Sequence, residues 1–166
     1  MSASASGGDE VRGRRPAARS RERSRPSLVL VIPSQTDFLA LVRDVTKKMA
    51  ETAGFDGGDA DRVALAVDEA TTNVLEHAYE GATDRTVELR FEDRGPALSV
   101  DVVDSGAQVD PRAVPRVDLE RYVSERRTGG LGVHLMEKIM DSVTFRRSAR
   151  RNLCCLVKRK APPGGG

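Results

Sequence analysis

The sequence predicts an α+β fold: one mixed sheet with its helices packed on a single face, a two-layer sandwich. Three observations lead to it. Five short stretches rich in Val, Leu, Ile and Phe have the length of strands. Two apolar stripes of helical period, either side of Gly57-Gly58, stand between the first and second of them. The order is strand, two helices, two strands, a long irregular segment, a helix and two strands, within 166 residues that suit one domain with a core.

Leu28–Ile32 is the first strand, stopped by Pro33. Ser34 with Asp37 three residues on marks a helix start. Phe38, Leu41, Val42, Val45 and Met49 then recur at helical spacing, and Gly54 ends the helix. Gly57-Gly58 read as a turn and Asp59 as the N-cap of a central helix. Its stripe is Val63, Val67, Ala70, Val74 and Ala78, and Gly81 closes it. Thr86–Phe91 alternates as a strand, Arg94-Gly95-Pro96 turns, and Ala97–Val103 completes a hairpin. From Gly106 to Thr128 the pattern is irregular, with Pro111 and Pro115, and Tyr122 falls on a short helix within it. A loop of that length in a small domain is functional or mobile. Leu131–Met140 is helical, and Val143–Arg147 and Leu153–Val157 close the sheet across a basic turn.

Charge and composition exclude several classes. The net charge of +2 does not describe a strong polyanion binder. Residues 1–26 hold seven Arg against Asp9, Glu10 and Glu22, which leaves the rest near −2. With almost nothing to bury, residues 1–26 are expected to be a disordered basic tail, and 161–166 a second one, flanking a domain over 27–160. No apolar run is long enough to span a membrane, and no apolar core follows the first basic residues as in a secretory signal. Cys154 and Cys155 are neighbours in a strand and point to opposite faces. That suits reduced packing residues of a cytoplasmic protein better than a disulfide or a metal site.

Three motifs carry chemistry. Glu69, Asn73 and His77 form a line at steps of four beside the apolar stripe, so a carboxylate and an amide one turn apart face one ligand. Asp104-Ser105-Gly106 follows a strand directly. An Asp there can accept a hydrogen bond from an exocyclic amino group, and the glycine lets the backbone approach a flat ring. Thr128-Gly129-Gly130-Leu131-Gly132-Val133 opens a helix, where free N–H groups and the helix dipole favour phosphate. It is neither a Walker loop nor a dinucleotide fingerprint.

Together these residues resemble the GHKL (Bergerat) ATP-binding fold of gyrase, Hsp90, histidine kinases and MutL. Asp104, Gly106, Asp110 and Pro111, with the run from Gly129 to Met136, are most similar to the small anti-sigma factor serine kinases of the RsbW and SpoIIAB group. The resemblance covers nearly all of residues 28–159. It implies Glu69 as general base, Asn73 as magnesium ligand, Asp104 as adenine contact and Gly106 as ring contact. Gly130, Leu131 and Gly132 would meet the phosphates, and 107–128 would form a lid. Where many relatives carry an aromatic before Asp110, this chain has Gln108-Val109. Arg126 and Arg127 are read as solvated, His77 as helix-end packing, and His134 as carrying no signal. The cofactors implied are ATP and Mg2+. The partners implied are a STAS-domain anti-anti-sigma factor, an RNA polymerase sigma factor and a second copy of the chain, with no direct nucleic acid and no membrane. The rival is a nucleotide-responsive clamp that transfers no phosphate; retention of Glu69, Asn73 and Asp104 favours the kinase.

Overall fold

The computed structural model describes residues 27–107, 131–148 and 150–161. The first expected tail, the second beyond Ala161 and most of the expected lid, with Asp110, Pro111, Tyr122, Arg126, Arg127, Gly129 and Gly130, lie outside them. The strands are β1 (Ser27–Pro33), β2 (Thr86–Asp93), β3 (Ala97–Asp104), β4 (Ser142–Arg147) and β5 (Asn152–Arg159). The helices are α1 (Leu39–Ala53), α2 (Gly57–Asn73) and α3 (Leu131–Ile139). A π-helical turn, Val74–Ala78, extends α2.

The sheet order is β1-β2-β3-β5-β4. The expected mixed sheet is corrected here: every pairing among the described residues is antiparallel. Each element reverses the chain direction. Two helices between β1 and β2 therefore return β2 antiparallel, where a single one would have left it parallel. β3 and β4 do run the same way, but β5 inserts between them and pairs with both.

Alternation along the strands sends one set of side chains to the helices. Ile32, Leu89, Phe91, Val100, Val102 and Leu156 meet Val42, Val63, Val67 and Met136 in one buried cluster. Each such side chain contributes roughly 1.5–3 kcal/mol by leaving water. The two-layer arrangement is thus as the sequence predicts. On the helix-free face, Val29 and Val31 are 58% and 56% exposed. Ion pairs Arg43–Asp68 (3.2 Å) and Lys47–Asp61 (2.6 Å) tie α1 to α2.

Two helix starts differ from expectation. The cap of α2 is Asp56, whose carboxylate accepts from Asp59 N at 2.8 Å. Gly57 and Gly58 are therefore its first helical residues, and Asp59 instead pairs with Arg62. Ser34 caps no helix: its hydroxyl donates to Ala82 O and accepts from Arg85 N, clamping the end of β1 to the loop before β2. A short 3-10 turn, Thr36–Phe38, leads into α1 instead. The expected stops hold, with Gly54 at φ 100° and Gly81 at φ 78°.

Candidate active site

A cavity opens between α2, its π-helical extension, the end of β3, the first turn of α3 and the ends of β4 and β5. Ala70, Val74, Ala78, Val133 and Phe145 give it apolar walls, as a flat ring requires. Asn73 stands on one wall and Asp104 on another.

Asp104 ends β3 and is 7% exposed. Its Oδ1 accepts from Gly106 N and from Asn152 Nδ2, both at 2.8 Å. Its Oδ2 takes no hydrogen bond from a described residue. It is not among the sealed orphan oxygens either, which here belong to Asp68 and Asp101. One oxygen is thus occupied by the protein and the other is left for a donor in the cavity. That is the arrangement an amino group on a ring needs.

Gly106 is glycine because a Cβ there would run into the carbonyl of Ala78. The last carbonyls of a helix have no partner inside it. That of Ala78 accepts from Ala107 N at 2.7 Å, which binds the Asp-Ser-Gly turn to the π-helical turn. Tyr79 adds a second tie: its hydroxyl donates to Thr86 O (2.7 Å) and accepts from Ser105 N (3.1 Å). π-Helical turns are rare and concentrate at functional sites. This one sets the floor of the cavity.

Glu69 and Asn73 lie one turn apart on α2, as their spacing predicts. α3 begins against them. A Cβ on Gly132 would stand 2.6 Å from Glu69 Oε2 and 3.6 Å from Asn73 Nδ2. Burial, and then the nearby carboxylates of Asp68 and Glu76, push the Glu69 carboxyl above its ordinary value. A carboxylate so placed is a stronger base. Asp68 turns away toward Arg43.

Of the residues singled out from sequence, Glu69, Asn73 and Gly132 come together, as do Asp104 and Gly106; of these five, Asn73 and Asp104 line the cavity. Leu131 is 38% exposed at the start of α3, and Gly130 precedes the described part. His77 is a correction: it is exposed and lines the cavity instead of packing, because the π-helical turn shifts the face of the helix that follows Asn73. Sequence reasoning missed Tyr79, Asn152 and the β4 wall at Phe145. Only the strand register, which sets Asp104 opposite Asn152, brings the latter to the site. The cysteines are free, as expected; Cys154 lines the cavity, and burial first and Cys155 second push its thiol up to about 12.

Among the described residues no group of three or more His, Cys, Asp or Glu is placed to hold a metal ion. An amide oxygen such as that of Asn73 suits a hard cation that would take most of its shell from phosphate and water, as Mg2+ does. No described helix is long and apolar enough to cross a membrane.

Residues 32–158 match the family model of the histidine kinase-like ATPase domain. The serine-protein kinase RsbW of Bacillus velezensis is 35% identical over 120 residues, 68% of this chain and 72% of that protein. The RsbW of Bacillus subtilis is 33% identical over 120 residues with the same shares. That of Halalkalibacterium halodurans is 29% identical over 128 residues, 74% of this chain and 77% of that protein. A solved structure of the RsbU and RsbW domains of a Mycobacterium tuberculosis protein shares the fold, with a TM-score of 0.56 at 19% identity. It covers 83% of this chain, which spans 33% of the solved one. Motifs, fold and relatives agree: the chain belongs to the histidine kinase-like ATPase family, in its RsbW serine-protein kinase group.

Proposed function

We propose that this protein is an ATP-dependent anti-sigma factor kinase. It phosphorylates a serine of a STAS-type anti-anti-sigma factor and holds an RNA polymerase sigma factor when that antagonist is phosphorylated. The observation that carries the reading is the placement of Glu69 and Asn73, side by side against Gly132, next to a cavity that also presents the open oxygen of Asp104. A base, a cation ligand and a ring contact are what phosphoryl transfer from ATP to a hydroxyl asks of a protein.

In this reading Asp104 Oδ2 accepts from the adenine amino group and the apolar walls hold the ring. Mg2+ bound at Asn73 would neutralise phosphate charge. Glu69 takes the proton of the incoming serine hydroxyl as its oxygen bonds to the γ-phosphorus. The bond from that phosphorus to the β–γ bridging oxygen breaks, and ADP leaves with the electron pair. The same reading makes the protein cytoplasmic. It also makes it a homodimer, which the exposed Val29 and Val31 on the helix-free face support.

The test is incubation with labelled ATP, Mg2+ and candidate STAS proteins, beside nucleotide and sigma-factor binding. Serine phosphorylation that falls on the order of 10²–10⁴-fold in Glu69→Gln, with ATP binding kept, is the expected result. If the wild-type protein binds ATP and a sigma factor but phosphorylates no STAS partner, it is a clamp and not a kinase.

A further inference from the structure

Asn152 opens β5 directly across from Asp104 and lines the same cavity. Its side-chain amide has two N–H donors and one oxygen. The nitrogen lies 2.8 Å from Asp104 Oδ1 and 3.3 Å from the carbonyl oxygen of Gly106. Both neighbours accept, which settles which end of the amide faces them. Both donors are therefore used inside the protein, and Oδ1 of Asn152 takes no hydrogen bond from a described residue. Beside it, Asp104 has one oxygen filled by Gly106 N and Asn152 Nδ2 and the other open. Asp104 and Asn152, on adjacent strands and both lining the cavity, thus each keep one acceptor oxygen that no described residue fills.

We infer that Asn152 is the specificity-determining residue for the base: with Asp104 it forms a two-acceptor site that takes a 6-amino purine and rejects a 6-oxo purine. The inference rests on the reading of Asp104 as the ring contact. An exocyclic amino group carries two hydrogens, one for Asp104 Oδ2 and one for Asn152 Oδ1. A 6-oxo group in its place would set an oxygen against both acceptors. Sites that leave buried polar groups mispaired discriminate far more strongly than sites that only lose contact area. Asn152 also holds Asp104 in place, because its amide and the Gly106 N–H fix which carboxylate oxygen faces the cavity.

The experiment measures equilibrium binding of ATP, inosine triphosphate and purine riboside triphosphate, which lacks any 6-substituent. The proteins are wild type, Asn152→Ala and Asn152→Ser. Wild type is expected to prefer ATP to both analogues. In Asn152→Ala the preference for ATP over inosine triphosphate should fall at least tenfold, about 1.4 kcal/mol, while purine riboside triphosphate binds within about twofold of wild type. Asn152→Ser keeps a small polar group and should fall between, so the result is readable if the alanine variant folds poorly. An ATP-to-inosine ratio unchanged in both variants overturns the proposal, as does an equal weakening of all three nucleotides. A wild-type protein that binds ATP and purine riboside triphosphate equally instead overturns the adenine contact at Asp104. One that binds no nucleotide overturns the proposed function itself.

Discussion

Gly132 lies so close beneath Glu69 that a β-carbon on it would fall 2.6 Å from Oε2. Gly106 is as tightly placed, but what it meets is the backbone carbonyl of Ala78. The two glycines therefore answer the same substitution differently. In Gly132→Ala the neighbour that must move is the tip of a flexible side chain, so the protein keeps its fold and melts within a few degrees of wild type. The displaced base slows serine phosphorylation, on the order of a hundredfold for a misplacement of about 1 Å. In Gly106→Ala a backbone must move, which costs about 1–3 kcal/mol or more of stability. Thermal unfolding and phosphorylation rate of both variants check this. A Gly106→Ala protein as stable as Gly132→Ala would contradict it.

The raised carboxyl of Glu69 sets a pH dependence. A general base works only when deprotonated. Serine phosphorylation should therefore rise with pH through a value above the ordinary one of a glutamate, and that limb should disappear from the residual rate of Glu69→Gln. Stability runs the other way. The native state holds the Glu69 proton more tightly than the unfolded chain, so its contribution is complete below the unfolded value and is lost as pH rises through the folded one. Glu69→Gln should melt above wild type at neutral pH and together with it at low pH. Melting curves at the two pH values suffice, and a variant less stable at neutral pH refutes the burial argument.

Asp104→Asn replaces one acceptor oxygen by a donor. If the donor turns to the cavity, it opposes the ring amino group; if it turns inward, it opposes Gly106 N and Asn152 Nδ2, which already donate there. Either way a polar pair is mismatched at about 1–3 kcal/mol. ATP affinity should fall on the order of ten- to a hundredfold by calorimetry.

Asn73→Ala removes the sole protein oxygen assigned to the cation. ATP binding without metal should persist, while the tightening caused by Mg2+ should vanish. Asn73 is half-buried on α2, so the fold is expected to survive. Titrating ATP with and without Mg2+ into both proteins checks it, and equal tightening in the two rules the metal role out.

Much of this protein follows from residue order alone. Helical period placed Glu69 and Asn73 on one line, because steps of four return to the same face of a helix whatever packs against it. Strand alternation separated Cys154 from Cys155 and chose the buried face of β2 by the same local geometry. Gly54 marked a helix end because a left-handed residue is needed there, whereas the extension of α2 ends through Glu80 at φ 51° and then Gly81. Other features answer to tertiary contacts. Ser34 carries a helix-start signal yet is claimed by Ala82 and Arg85, distant in sequence, and Asp56 out-competes Asp59 for the cap once the glycines join the helix. The π-helical turn, the outward His77 and the hydroxyl ties of Tyr79 depend on where the Asp-Ser-Gly turn docks. Asn152 bears no local mark of its role. It meets Asp104 across 48 residues because β5 slots between β3 and β4, and strand register is set by the whole sheet, not by the strand.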